Sequence, residues 1–405
     1  MKAAALSPST VRGQALKRAL VLGATVLALS LSSRGVGRAQ EPGVSDERIL
    51  FGQSAAFSGP AAELGTEFRL GLLAAFRARN RRGGINGRNI ELVSLDDTYE
   101  PELAALNTRR LIEREGVFAL IGMVGAPTSR SALPVAAESN VPFVAPFSGA
   151  GVFRERQYRN VVNLRASYQQ EIEEIVARLI ADLGIVRIGL LYQDDSFGRD
   201  ILASAQTSMS GRGLELAGLG TFHRNTLAVK TAVLDLRAGR PGAVIVAGTS
   251  EAVGAAAAWS RRIGFNPVFA TLSFAGGRAL VNALGDEVRR VFVTQVVPFP
   301  MDDLPAAESF RAALKAVNPD AVPNFISFEG YLAGRLAVVG LQRCGETVTR
   351  ELFLQKLMQG PVTLDGLRLR FGRNDNQGLD QVFLTMIGSD RQLRPVTGFD
   401  AGGAR

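Results

Sequence analysis

From Arg48 to about Val297, short apolar runs alternate with amphipathic helical stretches, and this alternation constrains the chain more than any other feature. "RILFGQSAAF" reads as a strand. Leu64, Phe68, Leu72 and Phe76 then recur every fourth residue, which puts one apolar stripe on a helix. Strand "NIELVSL", helix "PELAALNTRRLIERE", strand "VFALIG", a helix from about Pro127 and strands "VPFVAP" and "NVVNL" complete a first series. A second series opens with the helix "YQQEIEEIVARLIADLG" and runs through strands "RIGLLYQ", "LELAGLGTF", "AVIVAG", "PVFATLSF" and "RRVFVTQVV". Repeated βα units with apolar strands imply parallel sheets covered by helices on both faces. Two such series predict an α/β fold of two doubly wound lobes. Helices follow at about 304–317, 323–343 and 349–359, and "LRLRFGRNDNQGLDQVFLTMIG" reads as a hairpin around an Asn/Asp/Gly turn.

The stretch "RRGGINGRNIELVSLDD" tests whether a nucleotide is involved. Its glycines follow a helix and precede a strand, whereas a phosphate loop follows a strand and opens a helix. Arg77, Arg79, Arg81 and Arg82 suit the negative end of the helix dipole, and Gly83-Gly84 supply a left-handed exit. The stretch is a turn.

The chain starts with basic residues and no acid, then a short apolar run, "ALVLGATVLALSLS", then small residues Gly37 and Ala39. This is the layout of a secretion signal, and the run falls short of the roughly 20 residues that a membrane span needs. Residues 1–39 are expected to be removed on export, leaving a soluble protein, periplasmic in a Gram-negative host. They carry six of the 46 Lys/Arg and none of the 38 Asp/Glu, so the net charge falls from +8 to +2. No basic run or clustered basic face stands out, which argues against nucleic acid as a partner. Cys344 is the one cysteine, so no intrachain disulfide forms; a chain of this length buries enough core without one.

Catalytic chemistry finds little to build on. His223, in "GTFHRNT", is the sole histidine, and a Ser-His-acid triad would have to use it. There is no G-x-S-x-G elbow, no G-x-x-x-x-G-K-[ST] and no G-x-G-x-x-G at a strand-to-helix turn. His/Cys metal sets are excluded by count, and no cofactor is expected. The acid pairs Asp96-Asp97 and Asp194-Asp195 end strands, where loop acids or helix caps are the expected roles.

In open α/β sheets ligands sit beyond the carboxyl ends of the strands, where helix N-termini favour anions. Those turns read "AAFSGPAAELG", "GMVGAPTS", "APFSGAG", "YQDDSFG", "AGTSEAV" and "LSFAGG". Small and hydroxyl residues, among them Ser58 and Thr249, alternate with phenylalanines. That suits a small ligand held by amides and hydroxyls against an aromatic wall.

Taken in order, "FSGPAAELGTEFRLGLLAAF", "GGINGRNIELVSLDD", "PELAALNTRRLI", "FALIGMVGAPTSRSALPVAAESNVPFVAPFSGA" and "IGLLYQDDSFGRD" resemble the branched-chain-amino-acid-type periplasmic binding proteins, the solute receptors of ATP-driven importers. The resemblance implies two lobes joined by three crossovers, residues 40–165 with 298–365 and residues 166–297 with 366–405. It also implies capture of ligand by hinge closure, delivery to a membrane permease and a monomeric, non-catalytic protein. Carried over residue by residue, Gly125, Ala126 and Thr128, then Phe147 and Ser148, fall where the family grips a ligand carboxylate. Ala126 replaces the usual serine, which leaves Thr128 and Ser148 as hydroxyl donors. Leu64 falls where an aromatic often packs, Phe197 where a tyrosine often does, and Phe274 where an acid would hold a ligand ammonium. Glu329 is then the candidate ammonium partner. If it has another task, the ligand is a carboxylate without an amine. The expected solute is accordingly a small amino acid or an aromatic or aliphatic acid. Two alternatives stay open from the sequence: the same fold as a periplasmic sensor subunit, and a secreted α/β hydrolase.

Overall fold

The computed structural model describes residue 1 and residues 41–285, 290–388 and 390–399. Apart from residue 1, the expected secretion signal lies outside these. No helix among the described residues is long and apolar enough to cross a membrane.

The first series folds as β1 (Arg48–Ala55), α1 (Ala62–Asn80), β2 (Asn89–Asp96), α2 (Pro101–Glu113), β3 (Ala119–Ile121), α3 (Ala126–Glu138), β4 (Phe143–Val144) and β5 (Val161–Val162). The strands form a five-stranded sheet in the order β2-β1-β3-β4-β5, and every pairing is parallel. The second series gives α4 (Tyr168–Ala181), β6 (Ile188–Gln193), α5 (Ser196–Ser210), β7 (Gly218–Phe222), α6 (Lys230–Ala238), β8 (Ala243–Ala247), α7 (Ser250–Arg262), β9 (Val268–Thr271), α8 (Arg278–Leu284) and β10 (Val291–Gln295). Then come α9 (Pro305–Lys315), α10 (Phe325–Cys344), α11 (Arg350–Met358), β11 (Val362–Leu364), β12 (Leu367–Leu369), β13 (Phe383–Ile387) and β14 (Leu393–Val396). The second sheet has seven strands, β14-β13-β10-β9-β8-β6-β7, parallel from β7 to β10 and antiparallel at β13 and β14.

Both sheets repeat one winding, second strand outside the first and the rest on its other side. The order therefore reverses between β1 and β3 in one lobe and between β6 and β8 in the other, and a crevice opens at such switch points. Strand residues alternate between the two faces of the second sheet. Ile188, Leu190 and Ile245 join the core shared with the first lobe, whereas Leu191, Val244 and Val246 build a separate cluster on the other face.

The chain returns from β10 to the first lobe, where α10 crosses α1 at backbone contact. A Cβ on Gly71 would stand 2.0 Å from the Ser327 carbonyl oxygen, and one on Gly330 2.1 Å from that of Phe68. Only glycine permits that approach. The first and third connections between lobes run side by side: Asn163 N donates to Asn376 O at 2.7 Å, and Leu379 N to Leu164 O at 2.9 Å.

The expected hairpin across residues 367–388 does not form. β12 pairs with β11 through a two-residue turn at Asp365 and Gly366, both at positive φ, and β13 pairs with β10 and β14. The Asp-Gly dipeptide is the stronger turn signal because it tolerates two left-handed residues, and it lies before the expected first strand. The Asn/Asp/Gly stretch instead belongs to the connection between lobes.

Candidate functional site

At the carboxyl ends of the strands the two lobes meet through aromatic rings. Tyr99 follows β2 and Phe147 follows β4; Phe197 opens α5 after β6, and Phe274 lies in a short 3-10 turn after β9. Tyr168 begins α4 just past the first connection. All five are at most 1% exposed. Phe274 lies 5.8 Å from Tyr99, 6.0 Å from Phe147 and 5.0 Å from Phe197, measured between ring centroids, and Phe197 lies 5.2 Å from Tyr168.

The acid pairs at the strand ends hold two of these rings in place. Asp96 accepts from Phe57 N at 2.8 Å, Thr98 N at 2.9 Å and Ser58 Oγ at 2.6 Å. Asp97 accepts from Ser54 Oγ at 2.7 Å and Tyr99 N at 3.0 Å. Burial pushes its carboxyl up to about 6. Between them they fix Thr98 and Tyr99 in left-handed conformations, φ 50° and 62°, which non-glycine residues adopt only when the surroundings impose it. In the other lobe Asp195 caps α5, accepting from Phe197 N at 3.0 Å and Gly198 N at 3.3 Å.

A charged cluster adjoins the rings. Arg165, in the first connection, is 0% exposed, and its guanidinium carbon sits 4.5 Å from the centroid of Phe147. Its Nη2 donates to Ser273 Oγ, and its Nε lies 3.2 Å from Glu329 Oε1. Glu171 accepts from Ser273 N at 2.9 Å, Ser273 Oγ at 3.0 Å and Thr294 Oγ1 at 2.6 Å. Burial pushes the Glu329 carboxyl up to about 7 against the pull of Arg165, and Glu171 pushes the same way.

Further contacts bridge the lobes. Glu100, the residue before α2, accepts from Arg224 Nη2 and Asn225 Nδ2, each at 2.7 Å. Glu63 of α1 accepts from Ala279 N of α8 at 3.0 and 3.1 Å. Elsewhere on the interface Glu63, Glu67, Arg278, Phe299 and Asn324 border a groove of 640 Å³.

Of the residues singled out in the sequence, Phe147, Phe197 and Phe274 stand together, and Glu329 joins them through Arg165. Ser148 reaches the group by donating to Tyr168 Oη at 3.4 Å. Gly125, at φ 93°, is where Tyr99 packs: a Cβ there would meet its ring at 2.3 Å. Ala126 and Leu64 are buried. Thr128 spends its hydroxyl on the turn that leads into α3, donating to the Val124 carbonyl. Thr249 stands at the start of α7, and Ser58 is exposed and bound to Asp96. Among the described residues no His/Cys/Asp/Glu group of three or more is placed to hold a metal. Arg165, Glu171, Tyr99 and Tyr168 were not anticipated. "SYQQ" did carry one signal: Ser167 and Gln170 form the capping box that fixes where α4 begins beside Arg165.

The chain matches the family described as periplasmic binding protein over residues 49–392. A Leu/Ile/Val-binding protein homolog 7 of Brucella abortus is 30% identical over 233 residues, 56% of this chain and 57% of that protein, so the chain spans little more than half of that relative's length. A crystal structure of a possible leucine/isoleucine/valine-binding protein from Rhodopirellula baltica has a TM-score of 0.83 at 35% identity, covering 87% of this chain and 96% of the other. A substrate-binding periplasmic protein from Ralstonia solanacearum has a TM-score of 0.78 at 27% identity, covering 86% and 100%.

Proposed function

The chain belongs to the periplasmic binding protein family, and from that premise we propose that it is the exported receptor of an ATP-driven importer. Proteins of this kind bind solutes and are not enzymes. In the proposed cycle the open lobes take up a small carboxylate-bearing organic solute, an amino acid or an aromatic or aliphatic acid. They close on it and present the closed form to a permease in the membrane.

The observation that carries this reading is the contact of Phe274 in one lobe with Tyr99 and Phe147 in the other. Apolar rings gathered at the carboxyl ends of the strands of both lobes, with a charged cluster at their side, suit a solute with an apolar body and one charged end. The names of the relatives, which specify leucine, isoleucine and valine, agree with an apolar body. The same ring contacts give closure its driving force, because apolar area leaves water only when the lobes meet.

Thermal unfolding of the purified protein against a panel of aliphatic and aromatic acids and amino acids tests the proposal. A ligand at 100 times its dissociation constant adds about 2.7 kcal/mol of stability. Stabilisation by some member is expected, and a flat response across the panel would remove the reading.

A further inference from the structure

We infer that Arg165 receives the solute's carboxylate and that the solute carries no amine. This rests on the receptor reading above and narrows it to one class, monocarboxylates with an apolar body.

The inference follows from counting donors and acceptors in the buried cluster. Arg165 is wholly buried, yet two of its nitrogens, Nε and Nη1, have no hydrogen-bond partner, although Nε faces Glu329 at 3.2 Å. Its Nη2 is committed to Ser273 Oγ, and that hydroxyl in turn donates to Glu171. Buried guanidinium nitrogens without acceptors are costly, and a carboxylate can accept from Nη1 and from the second hydrogen of Nη2, which share one edge of the fork. The group also lies over the face of Phe147, so an anion bound to it is delivered to the ring cluster.

An ammonium finds the opposite situation. Glu171 already takes three donors from Ser273 and Thr294. Glu329 already faces Arg165, so serving an ammonium means giving up that pair. Arg154 adds a second cation, donating to the Arg165 carbonyl at 2.8 Å. Phe274, the residue expected to be replaced by an acid in an amino-acid binder, offers only a ring. A buried ammonium here would lack the partner that offsets its loss of water.

Isothermal titration of the purified protein with matched compounds separates the charges. 4-Methylpentanoate is compared with leucine, and 3-phenylpropanoate with phenylalanine, 3-phenylpropanamide and 2-phenylethylamine. The expected result is that an acid binds at least about tenfold more tightly than its amino acid, amide or amine counterpart. The double variant Arg165→Gln/Glu329→Gln removes both charges, so neither is left buried alone, and circular dichroism checks its fold. It should bind the acid at least about tenfold more weakly. An amino acid that binds more tightly than its deaminated partner, or a folded double variant with unchanged acid affinity, overturns the inference and leaves the receptor reading standing. Should Arg165→Gln/Glu329→Gln not fold, Arg165→Lys decides, since unchanged acid affinity without the planar fork is equally fatal. Binding by no compound of any class removes both readings.

Discussion

Arg224 reaches across the lobe interface to Glu100 at 2.7 Å while its other nitrogen lies 3.4 Å from Asp195, the residue that caps α5 under Phe197. One side chain thus ties a loop of the second lobe to the start of α2 in the first and to the turn that presents a ring. Arg224→Ala is expected to cost about 1–3 kcal/mol, because it strips a partner from the buried Asp195 as well as from half-exposed Glu100. Small-angle scattering should show a larger radius of gyration without ligand. Glu100→Gln should do less, since Asn225 still bonds to Thr98 O at 3.2 Å. Equal compactness of Arg224→Ala and the parent protein would show that the pair does not hold the lobes together.

Gly125 sits at φ 93°, and its missing Cβ is the space in which the Tyr99 ring rests. Gly125→Ala meets both a strained backbone and a ring at 2.3 Å. The expected loss is about 2–4 kcal/mol, combining the backbone strain with overpacking. It should be accompanied by a drop in ligand affinity as Tyr99 is pushed from Phe274. A chemical unfolding series and one titration check this; parent-like stability would mean that Tyr99 moves aside at no cost.

Phe274 touches three rings from both lobes. Phe274→Ala is expected to destabilise by about 3–5 kcal/mol, and Phe274→Leu by distinctly less, as in other large-to-small core changes. Both variants should retain carboxylate recognition at Arg165 and lose affinity in proportion to the apolar area removed. Calorimetric comparison of the two would expose a different role if Phe274→Ala bound phenyl and methyl compounds as well as the parent does.

Stability should fall as pH rises from about 4.5 towards 7. Glu329, faced by Arg165 and Glu171, is pushed up to about 7, and Asp97 up to about 6; burial also raises Asp195 and Glu63. In that window the folded chain holds protons that the unfolded chain has released, so the stability present at low pH is lost as each folded pKa is passed. Glu173, whose carboxyl is lowered chiefly by Arg212, acts in the opposite sense and only at more acid pH. Unfolding temperatures between pH 5 and 8 should therefore decline, and Glu329→Gln should flatten the decline. A rise across this range in the parent protein would contradict the assignment. By the same proton, a carboxylate ligand that lodges beside Glu329 should bind more tightly at pH 6 than at pH 8.

How far the sequence could be read depended on the range of the interactions involved. "RRGGINGR" was legible as a turn because its geometry is set within a few residues: Gly83 and Gly84 sit at φ 88° and 61°, and Asn86-Gly87 close the turn between Ile85 and Arg88. Phe147, Phe197 and Phe274 were legible as candidates because strand ends are recognisable locally. The pairing of the 367–388 segment is not legible, because local turn chemistry does not say which sheet a strand will join.

What the sequence determined by itself was the alternation of apolar strands and amphipathic helices, and with it two α/β lobes built on parallel strands. Periodicity acts within one element, so it needs no knowledge of the rest of the chain. Only the tertiary structure decided what occupies the interface. Arg165 and Glu171 lie more than a hundred residues from Ser273 and Glu329, and an arginine or glutamate is ordinarily an exposed residue. Their burial follows from the crossing connections that bring α4, α10 and the turn after β9 together. The charge a ligand meets in that cluster is a property of the assembled interface and of no single segment.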